Sequence, residues 1–285
     1  MQFDPTDAIA EVRGSRATTG VSPATADYLC PYIGSRCPKR STNLGIEPYP
    51  VCSLWRTTPK GEDRDPVRDL IAVCPKRFHQ VDFLHDVLAH CWPFDPPTNP
   101  VIAPEVKMKG IGNVDFVIAD EKPDGSIGSF LSVELQAIDI TGSVYPAYEA
   151  LRANDQLPKR PTYGFNWDNV YKRYITQLVR KGYFHHHWGT KIVAVIQDQI
   201  YQTMINKADF MRIENIADSQ VNIIFLTYIF EDDPNIPGQF RPRVARVEGT
   251  NHAGLQQAIL YTQAPAAGEF KERIANSIAR SRSSQ

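Results

Sequence analysis

Residues Gly112 to Ser143 read GNVDFVIADEKPDGSIGSFLSVELQAIDITGS. Two apolar, β-branched runs, Asn113–Ala119 and Phe130–Ile140, flank the turn signal Pro123-Asp124-Gly125, and this pattern predicts a β-hairpin. Each predicted strand carries an acid inside an otherwise apolar run, Asp115 in the first and Glu134 in the second. A carboxylate buried without a partner is costly, so such acids call for pairing, hydrogen bonding or a metal. Side chains alternate along a strand, which predicts Glu134, Gln136 and Ile138 on one face and Asp139 on the other. Asp115 on the neighbouring strand can then meet Glu134 and Gln136 at one point. The competing reading of the same pattern is a hairpin whose acids face solvent.

Composition bounds the alternatives. The chain has 285 residues, room for one large domain or one domain with a small module. Its 42% hydrophobic and 22% charged residues describe a soluble globular protein. A net charge of −1 provides no global attraction to nucleic acid, so a DNA-binding reading rests on local basic patches. No apolar run approaches a membrane span, and the first residues, MQFDPTDAIAEVRG, lack the order of a signal peptide; a cytoplasmic protein is expected. Five cysteines in that compartment are not expected to form structural disulfides.

Upstream of the hairpin, residues 101–108 predict a short strand that places Glu105 beside it as a possible third carboxylate, or as an edge-strand acid in solvent. Residues 78–92 predict a helix with Val81, Leu84, Leu88 and Cys91 on its apolar stripe. His79, Asp82, Asp86 and His90 then form a solvated stripe. Cys30, Cys37, Cys52 and Cys74 lie in a loop-like segment rich in Pro, Gly and charge. Their spacing leaves open a tetrahedral thiolate metal site, for which the donor chemistry suggests zinc, or scattered free thiols. Cys91 reads as a small buried hydrophobe. Residues 6–12 predict a short helix.

Downstream, residues 144–167 predict a functional loop in which Arg152, Lys159, Arg160 and Tyr163 can meet phosphates or bases. Residues 168–182 predict a helix capped by Asp168 and stopped by Gly182, with Tyr171, Tyr174, Ile175 and Leu178 facing a core. Arg173, Gln177 and Arg180 fall on the other face, with Lys172 and Lys181 beside them, a basic stripe suited to a phosphate backbone. His185–His187 predict a loop or strand start. Residues 191–197 predict a strand buried on both faces and parallel to its neighbours. Helices are expected over 199–218, 252–263 and 268–280, a strand over 221–230, and a frayed end over 277–285.

In this order the segments resemble the NotI-type restriction endonucleases. The matching residues are the series Cys30-Pro31, Cys37, Cys52 and Cys74-Pro75; then Val114-Asp115-Phe116; then Glu134-Leu135-Gln136-x-x-Asp139-x-x-Gly142-Ser143; then Asn169-Val170-x-Lys172-Arg173 with Gln177. The resemblance implies an α/β fold of the PD-(D/E)XK type, a mixed central sheet flanked by helices, with Gln136 where most such nucleases carry lysine. It further implies a small N-terminal, loop-rich four-cysteine module over residues 1–77 and a nuclease core over residues 78–285. Asp115, Glu134 and Gln136, with Glu105 as an extra acid, would form the catalytic set, and Asp115 and Glu134 would hold Mg²⁺. Cys30, Cys37, Cys52 and Cys74 would bind a structural metal, and the resemblance favours iron over zinc. Lys172, Arg173, Gln177 and Arg180 would contact DNA, with Lys39 and Arg40 inside the cysteine segment. The implied activity is type II cleavage of double-stranded DNA at a palindromic site by a homodimer, with a cognate DNA methyltransferase in the same host. The alternative is a non-catalytic DNA-binding protein, or a metal- or redox-sensing protein, on a nuclease-like scaffold.

Overall fold

A computed structural model describes residues 2–19, 28–39, 49–58, 67–261 and 266–283. Arg40, Ser284 and Gln285 therefore lie outside the described residues. The N-terminal segment, expected to be loop-rich, holds a four-stranded sheet. Its strands are β1 (Ile9–Val12), β2 (Ser15–Arg16), β3 (Val51–Thr58) and β4 (Val67–Ala72), in the order β2-β1-β3-β4. The helix expected over residues 6–12 is replaced by a 3₁₀ turn, Pro5–Asp7, followed by β1. Pairing on both sides, with β2 and β3, overrides the local helical pattern there.

Helix α1 (Phe83–Cys91) starts after a separate 3₁₀ turn, Pro75–Gln80, and is capped by Asp82, which accepts from the His85 N–H at 3.0 Å. Its buried stripe is Phe83, Val87 and Cys91, with Leu84 and Leu88 packed beside it. Asp86, expected in solvent, instead accepts a 2.6 Å hydrogen bond from the buried Tyr228 hydroxyl. His79 packs edge-on against Phe83 and Phe116.

The main sheet begins with an antiparallel meander, β5 (Pro100–Met108), β6 (Gly112–Glu121) and β7 (Ile127–Gln136). The predicted turn closes β6 onto β7. The Gly125 N–H donates to the Lys122 carbonyl at 2.8 Å, and Gly125 adopts the left-handed φ of +79° that glycine tolerates best. After β7 come a short pair, β8 (Ile140–Gly142) with β9 (Tyr163–Phe165), and between them helix α2 (Tyr145–Ala153). Gly142 is required where it stands: its φ is +75°, and a Cβ would lie 2.2 Å from the Thr162 carbonyl oxygen.

One long helical segment follows. It comprises α3 (Trp167–Asn169), a π-helical turn (Val170–Tyr174) and α4 (Ile175–His187). Its cap is Asn166, not Asp168, and it passes through Gly182 to include all three adjacent histidines. Gly182 is needed because a Cβ would meet Ile223 side-chain carbons at 2.7 Å. Strand β10 (Lys191–Gln197) is buried along its whole length and pairs parallel with β7 and with β11 (Ile223–Asp232), as its unbroken apolar run predicts. Helix α5 (Asp198–Lys207) is shorter than expected. The chain leaves it so that Ile213 can exchange backbone hydrogen bonds with Gly249, at 2.8 and 2.7 Å. Strand β12 (Phe240–Thr250) closes the sheet antiparallel to β11, in the order β12-β11-β10-β7-β6-β5. Helices α6 (His252–Leu260) and α7 (Ala267–Ser283) complete the chain. α7 has no buried residue and continues over residues expected to fray.

The sheet is covered on both faces. One face packs Ile192, Ala194 and Ile196 against the helical side chains Ile175, Leu178, Ile200 and Tyr201. The other packs Val193, Val195, Leu131 and Val133 against α1. Among the polar contacts that join the N-terminal sheet to the main one, two sets are buried. Gln197, ending β10, donates to the Leu70 carbonyl at 2.5 Å and accepts from the Ala72 N–H at 2.9 Å. Arg77 and Glu11 form a fully buried ion pair at 2.8 and 2.9 Å. Arg77 also donates to the Phe240 carbonyl at 2.6 Å, and Ser53 donates to Glu11 at 2.6 Å. No helix among the described residues is long and apolar enough to cross a membrane.

A buried charge left without its partner is strongly destabilising. Arg77→Met is expected to lower the free energy of unfolding by about 3–5 kcal/mol. The paired variant Arg77→Met with Glu11→Leu should recover most of that loss, as measured by urea denaturation.

Candidate active site

Asp115 and Glu134 occupy one row of the sheet. The β6–β7 ladder ends at the pair Phe116–Val133, and the next residues along are these two acids. Phe116 and Val133 belong to the core under α1, so alternation places Asp115 and Glu134 on the opposite face, beneath α4. Where the ladder stops, the Asp115 side chain takes over. Its Oδ2 accepts from the Leu135 N–H at 2.8 Å. Glu105 lies in the same row on β5, across from Asp115 and between the pairs Pro104–Phe116 and Val106–Val114. It is exposed and has a left-handed φ of +51°, unusual for a residue with a Cβ. Among the described residues, no three Cys, His, Asp or Glu side chains converge closely enough to hold a metal ion by themselves.

Helix α4 adds a group that sequence reasoning placed elsewhere. Lys181, expected beside the solvated basic stripe, is 3% exposed. Its Nζ forms an ion pair with Glu134 Oε1 and donates to the Asn113 carbonyl at 2.7 Å. Burial pushes the Glu134 carboxyl up to about 7, against the pull of Lys181, and the Asp115 charge adds to the rise. Tyr174, at the end of the π-helical turn, faces the same site. Its hydroxyl is buried without a hydrogen-bond partner, and burial, with the Glu134 and Asp115 charges, holds its pKa well above the ordinary value. One turn beyond Lys181, His185 is fully buried with neither ring nitrogen partnered. Its pKa is pushed down to about 4 by burial and by Lys181, so the ring is neutral at pH 7.

The signal for Lys181 was present in the chain. Tyr174, Leu178, Lys181 and His185 are spaced four, three and four apart, one helix face, and Leu178 marks that face as apolar. Tyr174, Ile175 and Leu178 are buried as expected. Lys172, Arg173, Gln177 and Arg180 are all exposed, and Arg180 donates to the Gly110 carbonyl at 3.2 Å, tying α4 to the β5–β6 turn. Gln136 does not join the carboxylates. Its amide nitrogen donates to the adjacent Ala137 carbonyl. Asp139 turns to the other matching segment, accepting from Asn169 Nδ2 at 3.1 Å.

The four cysteines lie on and beside the N-terminal sheet, without three of them converging closely enough to form a metal-holding group. The Cys30 and Cys37 backbones close a small loop with Ser35 and Tyr28, Cys52 lies on β3, and the Val73 N–H, just before Cys74, donates to the Cys52 carbonyl at 3.0 Å. All are free thiols; Cys30, Cys37 and Cys52 are buried. Burial pushes the thiols of Cys37, Cys52 and Cys74 up. Lys39 Nζ lies among them and donates to the Val51 carbonyl at 3.0 Å.

A hydroxyl that makes no hydrogen bond contributes nothing to the fold that its ring does not. Tyr174→Phe is therefore expected to leave unfolding stability unchanged or raise it by up to about 1 kcal/mol, read by thermal or urea denaturation.

The family model described as restriction endonuclease NotI matches residues 19–241. No curated protein and no solved structure matches the chain. The match runs from the cysteine-bearing sheet through the carboxylate row and the helix above it to the start of β12, and on that ground the chain belongs to the NotI restriction endonuclease family.

Proposed function

We propose that the chain is a Mg²⁺-dependent type II endonuclease on a PD-(D/E)XK-type scaffold, hydrolysing phosphodiester bonds of double-stranded DNA at a palindromic site as a homodimer. One observation carries this reading: two carboxylates, Asp115 and Glu134, share one row and one face of adjacent strands. Among the described residues, hydrogen bonds engage Asp115 through Oδ2 and Glu134 through Oε1, which leaves a second oxygen of each for a ligand. Mg²⁺ is commonly held by one or two carboxylates, with substrate phosphate and water completing its shell, so this donor set fits it. The orphaned Tyr174 hydroxyl beside them fits a site that is completed by something other than protein.

A bound Mg²⁺ supplies Lewis acidity to the phosphoryl oxygen and lowers the pKa of the attacking water. Asp115 and Glu134 would hold that ion. Gln136, which carries no charge and no basic group, positions the attacking water and contacts the phosphate once its amide is released from Ala137. Glu105, in the same row, is an additional acid. The exposed stripe of Lys172, Arg173, Gln177 and Arg180 faces the DNA backbone and positions it without reading bases. A two-fold dimer sets one site on each strand and matches a palindromic target. A host carrying such an activity needs a cognate methyltransferase to protect its own DNA.

The test is incubation of the purified chain with bacterial DNA and Mg²⁺, followed by sequencing of the ends. Ends at a single recurrent sequence are expected, and random ends or cutting unaffected by chelation would refute the proposal. Glu134→Ala should abolish turnover, whereas Gln136→Ala should slow it by about 10- to 100-fold; equal and total loss in both would contradict the division of roles.

We also propose that Cys30, Cys37, Cys52 and Cys74 hold a structural metal, iron by family membership and zinc as the alternative. Four free thiols are a suitable donor set for either ion by their chemistry, and they would have to close in on it, since as they stand no three of them form a metal-holding group. In that role the metal shapes a platform for DNA contacts and does no redox chemistry. Metal analysis should find about one ion per chain, reduced in Cys52→Ser. Metal-free protein with intact cleavage and specificity would remove the role.

A further inference from the structure

We propose that Lys181 on helix α4 is the cation of the hydrolytic site, serving the charge role that Gln136 on strand β7 leaves vacant. This rests on the nuclease reading above and assigns a residue that the motif itself does not contain. Lys181 Nζ bridges the two strands that carry the acids, paired to Glu134 on β7 and donating to the Asn113 carbonyl on β6 at 2.7 Å. Among the described residues it is the cation that ion-pairs with either carboxylate. Lys172, Arg173 and Arg180 of the basic stripe are exposed and form no ion pair with either carboxylate among the described residues.

Charge balance gives the reason. Asp115, Glu134 and a phosphodiester bring three negative charges together, the exposed Glu105 aside, and one divalent ion leaves one of them uncompensated. A lysine two residues after the strand acid would balance it, but position 136 is a neutral glutamine. Lys181 restores the balance from the helix above. A purely structural purpose accounts for it poorly, because a buried ion pair is rarely more stabilising than apolar residues of similar volume. The contrast with Arg77 and Glu11 is direct. There both carboxylate oxygens are engaged within a closed network, whereas Glu134 keeps one oxygen outside its bond to Lys181. Lys181 acts through Glu134 and is a positioning residue: it holds the carboxylate in place and offsets its charge when phosphate arrives.

The variants Lys181→Met, Lys181→Arg and the double variant Gln136→Lys with Lys181→Met separate this role from mere support of the fold. With Mg²⁺, Lys181→Met should lose about 100-fold or more in kcat with KM little changed, and Lys181→Arg should retain most of the activity. The double variant, which returns a cation to the same sheet face from β7, should regain at least about tenfold over Lys181→Met. Calorimetry with Ca²⁺ alone should show ion binding to Lys181→Met no weaker than to the wild type, since the competing cation is gone. Should Lys181→Met not fold, the double variant alone decides, its melting temperature confirming the fold. Cleavage by Lys181→Met within about threefold of wild type overturns the proposal. So does a folded double variant without recovery, or loss of Ca²⁺ binding in Lys181→Met. In each of these cases a wild type that still cuts leaves the nuclease reading standing; a wild type that cuts no DNA with Mg²⁺ removes both.

Discussion

The carboxylate of Glu134 sits 8% exposed beneath a helix, where an ionised acid is held only if something offsets the loss of water. Much of the surrounding architecture serves that condition. The β6–β7 hairpin brings Asp115 and Glu134 to the same row. Helix α4 lies over that face and lowers an ammonium onto it. Arg180 fastens the same helix to the β5–β6 turn, so the helix that neutralises the acid is anchored on the strand pair that carries its neighbour. Opposing effects leave the Glu134 carboxyl near 7, higher than an acid in water and lower than burial alone would leave it.

The π-helical turn before α4 belongs to the same arrangement. An extra residue in a helical turn shifts the face presented by everything after it, and such turns recur at functional sites. Here the turn spans Val170–Tyr174 and ends on the residue whose hydroxyl is buried beside both acids without a partner. Behind Lys181, the neutral ring of His185 fills the next position of that helix face without adding a second charge.

Two buried ion pairs thus serve different ends. Arg77 with Glu11 draws β1, β3, β12 and a 3₁₀ turn into one knot, every strong acceptor satisfied, and fastens the N-terminal sheet to the main one. Lys181 with Glu134 leaves a carboxylate oxygen over and lies next to an orphaned hydroxyl. The first network is closed on protein, whereas the second leaves an acceptor and a hydroxyl without protein partners among the described residues.

Local chemistry alone determined the hairpin, because a Pro-Asp-Gly turn between alternating β-branched runs admits few other conformations. It also determined the two strand acids, and the fully buried parallel strand β10, whose unbroken apolar run has no solvent side. The fates of other segments were settled only in three dimensions. Residues 9–12 became a strand because neighbours on both sides offered hydrogen bonds, and the chain left α5 early because Gly249 gave Ile213 a backbone partner. Gly182 did not stop a helix, since the absence of a side chain was needed for packing against Ile223. Lys181 is the clearest case. Its neighbours in sequence, Arg173, Gln177 and Arg180, mark a solvated basic face, and nothing within the helix says what lies under the adjacent one. Helical spacing puts Lys181 on the apolar face of Tyr174 and Leu178, but only the tertiary structure sets the Glu134 carboxylate, 47 positions away, beneath it, and the ion pair then offsets the burial of both charges.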